Sequence, residues 1–145
     1  MRTKISDDYI SNRAWLRDIV GGKPLILRGV SALEYLELID GYFGEEDIYV
    51  YARTSGNYEN ISYEIADDFE QIEYIRYGDV LCSTFEQAVN DMLSDSFTDD
   101  GVLCEALSNY FHSNNESFEN LRIKGENVER FAFFKDSAIS YYGGG

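Results

Sequence analysis

A single histidine limits this chain's chemistry first. With only His112, and no two cysteines at the spacing of a metal clip, no zinc site is expected. No acidic run follows the ladder of a calcium loop either. Two cysteines in 145 residues do not make a disulfide framework. Cys82 falls in an apolar strand pattern and Cys104 in an apolar helix pattern, so both are expected as buried, reduced thiols. Reactive thiols need electropositive, partly exposed surroundings, which argues against either one pairing with His112 as a nucleophile. The N-terminus has no apolar leader, and no window approaches the 18 apolar residues of a membrane span. A cytoplasmic location without a membrane partner is expected.

Cations are scarce too. Twelve Lys and Arg face 27 Asp and Glu, a formal net charge of −15. Binding to a phosphate backbone relies on Lys and Arg displacing counterions, so direct DNA binding is disfavoured. No helix-turn-helix reads well, because the first helix is followed by Gly21-Gly22 and a strand. Those glycines, and Gly41 and Gly44, match no phosphate-cradling loop. None of the lysines completes the acid-x-Lys strand of a metal-dependent nuclease. Lys4, Lys23, Lys124 and Lys135 have Arg2, Gly21, Arg122 and Phe133 two positions earlier. No catalytic residue, metal or cofactor is expected. The charge fits either a solvated surface or one presented to a basic partner.

What the sequence holds is apolar patterning and rings: 44% hydrophobic residues, with 12 Tyr and 9 Phe. The chain is organised around Val80–Leu93, where the apolar run Val80-Leu81-Cys82 turns into an amphipathic helix. Ser83 and Glu86 have the spacing of a capping box, and Phe85, Ala88, Val89, Met92 and Leu93 mark the buried face. Glu86, Asn90 and Asp91 point away from it. Upstream, a helix is predicted to about Val20, closed by the glycine pair and Pro24, and Leu25–Leu27 is a short strand. Ser31 and Glu34 form a second possible capping box, for a helix with Leu33, Leu36 and Ile39 on its apolar side, broken by Gly41 and Gly44. Ile48–Ala52, Ile61–Ile65 and Ile72–Arg76 read as strands, the last leading back to a central strand at Val80. Thr98 caps a helix with Val102, Leu103, Ala106, Leu107, Tyr110 and Phe111 inside. A last helix from about Glu126 to Tyr142 turns Val128, Phe131, Phe134, Ala138 and Tyr141 inward.

The order is helix, strand, helix, four strands and three helical segments. It predicts a single α/β (α+β) domain over residues 1–145: a mixed sheet of about five short strands backed by helices, with a helical C-terminal third. The tyrosines remain as a lead. Tyr49 and Tyr51 share a strand face, Tyr63 is placed alongside and Tyr74 follows, a row suited either to half-buried packing or to a protein interface.

LILRGVSALEYLELIDGYFGEEDIYVYA (Leu25–Ala52) and VLCSTFEQAVNDML together resemble the C-terminal region of AbiEi-type antitoxins of bacterial abortive-infection (type IV) toxin–antitoxin systems. In that family a Ser-Ala-Leu helix precedes a strand, and a Thr-x-Glu-Arg-Thr-x-x-Asp-x-Leu turn opens the helical end. Ser31-Ala32-Leu33 match the first motif; Thr84, Glu86, Asp91 and Leu93 match the second, with Gln87-Ala88 where the family has Arg-Thr. Glu105-Ala106-Leu107 to Leu121 resembles its closing helices. The resemblance implies a non-enzymatic antitoxin that counters an AbiEii-type nucleotidyltransferase toxin. It makes Ser31, Thr84, Glu86 and Asp91 motif residues and the sheet tyrosines contact candidates. The winged helix such antitoxins carry upstream is absent or cut to one helix, against operator binding. An acidic DNA-mimic inhibitor and a small enzyme of unrecognised type are the alternatives.

Overall fold

The computed structural model describes residues 12–39, 47–56, 60–95 and 100–143. Among these the chain forms α1 (Asn12–Val20), β1 (Ile26–Leu27), α2 (Gly29–Tyr35), β2 (Ile48–Ala52), β3 (Ile61–Ile65), β4 (Tyr74–Tyr77), β5 (Val80–Ser83), α3 (Phe85–Ser94), α4 (Asp100–Ser113) and α5 (Val128–Gly143). The strands make one mixed five-stranded sheet in the order β3-β2-β1-β5-β4. β1 runs parallel to β5 and antiparallel to β2, β2 runs parallel to β3, and β4 returns antiparallel beside β5. The expected element order and mixed sheet are what the chain forms.

The middle of the sheet is β1, not the Val80 strand. Ile26 and Leu27 are fully buried. The strand stops after two residues because Gly29, at φ 52°, takes the chain directly into α2. Glycine holds that left-handed angle without the clash a Cβ brings.

Residues paired across strands share a face. Leu27, Val50, Cys82 and Ile75 therefore lie together on one side, and Ile26, Tyr51, Leu81 and Arg76 on the other. The first side carries the main core with α1 and α2: Trp15, Leu16, Val20 and Leu33 pack there with Val50 and Cys82. Beyond it, α4 and α5 add Leu103, Leu107, Phe134 and Ala138. The second side is crossed by the link between β3 and β4. These strands are the two edges, four strand spacings or roughly 19 Å apart, which the eight residues 66–73 can span at about 3.3 Å each. Phe69, buried within that link, covers the second side.

Several local expectations give way. Ser83 does not cap α3: it is the last residue of β5, wholly buried, and Thr84 caps instead, its Oγ1 accepting from Gln87 N–H. Nor does Ser31 cap α2, which starts two residues earlier at Gly29. The Ser31 hydroxyl, inside the helix, accepts the Tyr49 N–H at 2.8 Å and ties α2 to β2. α2 ends at Tyr35, since Glu37 turns left-handed at φ 61°, although Ile39 is still buried. Gly41, Gly44, Thr98 and the side chain of Tyr141 lie outside the described residues. In the last helix Val128 is 52% exposed. A one-turn 3-10 helix, Gly125–Asn127, precedes α5 and puts Asn127 inside, so the buried stripe runs Asn127, Phe131, Phe134, Ala138. Cys104 is only half-buried.

Candidate functional site

Among the described residues, the polar face of α3 carries a dense set of hydrogen-bonding side chains. Asn90 sits at the centre. It is buried, with both amide protons donated, to Glu86 O at 2.9 Å and Arg122 O at 3.1 Å. Its carbonyl accepts Lys124 N–H at 2.9 Å and Asn127 Nδ2 at 3.1 Å. Two donors and two acceptor lone pairs are the full capacity of a primary amide. The reverse orientation would face carbonyl against carbonyl, so the amide has one workable setting. The expected outward orientation of Asn90 is therefore corrected: the segment 121–127 docks on that face and encloses it.

Glu86 grips the same segment from outside. Its Oε1 accepts the Arg122 backbone N–H at 2.6 Å, and its Oε2 accepts Arg122 Nη2 at 2.7 Å and Nε at 3.0 Å. Those hydrogen bonds from Arg122 hold the Glu86 carboxyl below the usual range against the opposing pull of burial. Arg122 Nη2 also reaches Glu73 Oε2 at 3.1 Å. The Glu86 carboxylate thus serves residues 36 positions away instead of closing a capping box on its own helix.

A second chain of bonds runs from the start of β4 to the sheet. Glu73 N–H donates to Gln87 Oε1 at 2.9 Å, while Thr84 Oγ1 donates to Glu73 Oε1 at 2.7 Å. Gln87 Nε2 donates to Asp91 Oδ1 at 3.0 Å, and Tyr51 Oη donates to Asp91 Oδ2 at 2.6 Å. The Arg28 guanidinium lies 4.9 Å above the Tyr51 ring. Burial, followed by the hydrogen bond to Asp91 and its negative charge, pushes the Tyr51 hydroxyl up to about 12. Burial also raises the Asp91 carboxyl, against the opposing pull of the Tyr51 bond and the nearby Arg28 charge. The Tyr51 phenol thus donates to a half-buried carboxylate.

Thr84, Glu86 and Asp91 are therefore brought to one helix, with Ser31 apart on α2. The four tyrosines do not form one row. Tyr63 pairs with Val50 and so faces the opposite side of the sheet from Tyr49 and Tyr51. Its hydroxyl instead covers Gly56, where any Cβ would collide with it. Tyr49 and Tyr51 are half-buried, and Tyr74 stands exposed at the β4 edge with Phe69 edge-on against its ring at 6.3 Å. Asn90, Asn127 and Arg122 are what sequence reasoning missed. Asparagine inside a helix, where it is a weak former, was the available signal.

The cleft beside this network, lined by Glu73, Glu86, Gln87, Asn90, Arg122, Ile123 and Lys124, has a volume of about 230 Å³. Ligand pockets run from about 300 Å³ upward. Its polar walls are bonded to one another, so the arrangement works as a clasp between α3 and the C-terminal segment. Among the described residues no group of His, Cys, Asp and Glu is placed to hold a metal ion, and no helix is long and apolar enough to cross a membrane. No protein-family model, curated protein or solved structure matches the chain.

Proposed function

We propose that the protein is a non-enzymatic, antitoxin-like domain that counters a nucleotidyltransferase toxin of the AbiEii type through protein contacts. The observation that carries this reading is where the acid surplus sits. Of the carboxylates in the described residues only Glu34 is buried, so the acid surplus of those residues is carried at least partly exposed. Asp67, Asp68 and Glu70 on the β3–β4 link, and Glu119, Glu126 and Glu129 on the C-terminal segment, are exposed. A surface of one sign speeds association with an oppositely charged partner and makes the complex salt-dependent. The clasp on α3 supports the same reading, because Glu86 and Asp91 are spent on holding the domain together.

Co-expression with an AbiEii-type nucleotidyltransferase encoded beside the chain is the test. Relief of growth arrest is expected, together with a complex that weakens as salt rises. Arrest that the chain does not relieve overturns the proposal.

A further inference from the structure

Among the described arginines only Arg122 makes an ion pair, to Glu73 and Glu86. Arg53 and Arg76 are two of the others. Both are exposed, neither makes an ion pair with a described residue, and both line one cavity of about 390 Å³ on the second side of the sheet. Lys23 is the third cation in that lining, its ammonium anchored on the Ile19 carbonyl at the end of α1. The lining's single carboxylate, Asp79, is turned against Gly21, where its oxygen would collide with any Cβ. Rings supply the rest. Phe69 lies under the Arg53 guanidinium at 5.0 Å, and Tyr74 meets Phe69 edge-on.

The geometry points to a binding site for a phosphorylated aromatic ligand of nucleotide size, independent of the partner-binding reading above. The volume falls within the range of small-molecule pockets. Arginine's planar fork matches phosphate oxygens in pairs, and two arginines with a lysine suit a phosphate dianion. Tyr74, exposed beside Phe69, offers a face on which a base can stack. The field of the acidic chain opposes a long polyanion, and Asp79 in the lining with Asp68 and Glu70 beside Phe69 offsets part of the charge of the three cations, which favours a small ligand with a single phosphate. A second cavity, of about 460 Å³, shares Lys23, Pro24 and Arg53 with the first, but Ala52 and Tyr63 in its lining belong to the opposite side of the sheet.

The test is a titration of the full chain followed by amide NMR shifts, with AMP, inorganic phosphate and a 5′-phosphorylated tetranucleotide as probes. AMP is expected to shift Lys23, Arg53, Phe69, Tyr74 and Arg76, and R53A/R76A to weaken it by at least about tenfold while the remaining spectrum is preserved. Tyr74→Leu is expected to weaken AMP and leave inorganic phosphate unchanged. Tighter binding of AMP assigns a free nucleotide as the ligand; tighter binding of the tetranucleotide assigns a strand end. Shifts confined to other residues, no shifts, or equal affinity in R53A/R76A would overturn the site.

Discussion

Replacing Asn90 by alanine separates the two kinds of interaction that hold the C-terminal segment to α3. Of the four bonds its side-chain amide makes, three cross to the segment: to Arg122 O, Lys124 N and Asn127 Nδ2. A net hydrogen bond is worth about 1 kcal/mol, so N90A is expected to cost about 3 kcal/mol. That is a large share of the roughly 5–15 kcal/mol that holds a domain folded. The Glu86–Arg122 ion pair is shorter and charged, yet the Arg122 side chain is 78% exposed. Exposed pairs yield at most about 1 kcal/mol, so R122A is expected to cost less than N90A. Asn90→Asp should be worse than alanine at neutral pH, since a carboxylate would face the Glu86 and Arg122 carbonyls. Urea unfolding of the three variants measures all of this. If R122A cost as much as N90A, or N90A cost under about 0.5 kcal/mol, the assignment of the clasp to the buried amide would be wrong.

The Glu86 carboxyl, held below its ordinary value of 4.5 by Arg122, stabilises the fold fully above that value and loses the contribution as pH falls through the depressed one. Stability of the wild type should therefore drop faster than that of E86Q on acidifying below about pH 4.5, and parallel acid-unfolding curves would count against the linkage. Burial pushes the Cys82 thiol up to about 12 and raises the half-buried Cys104 less. A thiol reagent on the native protein at mildly alkaline pH should label Cys104 first and Cys82 only through opening of the fold; equal rates, followed by mass spectrometry, would contradict the buried placement.

The element order was written in the sequence because it depends on local periodicity. Ile48–Ala52 alternates toward its neighbours as a strand must, and Val102 to Leu107 repeats as a helix must. The turn residues Gly21-Gly22 and the run Val80–Cys82 carry equally local signals. Where each helix begins was less legible, since hydroxyl spacing alone allowed Ser31 and Ser83 as caps. Gly29's left-handed angle and the burial of Ser83 at the end of β5 moved the starts to Gly29 and Phe85.

By itself, then, the chain's sequence determined its alternation of helices and strands, its acid surplus and the apolar faces that must be hidden. Tertiary structure decided which strand is central, which side of the sheet each tyrosine takes, and that Asn90, read as pointing away, is enclosed by residues 122–127. The physical reason is range. Periodicity is set by neighbours within one helical turn or strand pleat, whereas strand order and the saturation of a buried amide depend on partners more than 30 positions away.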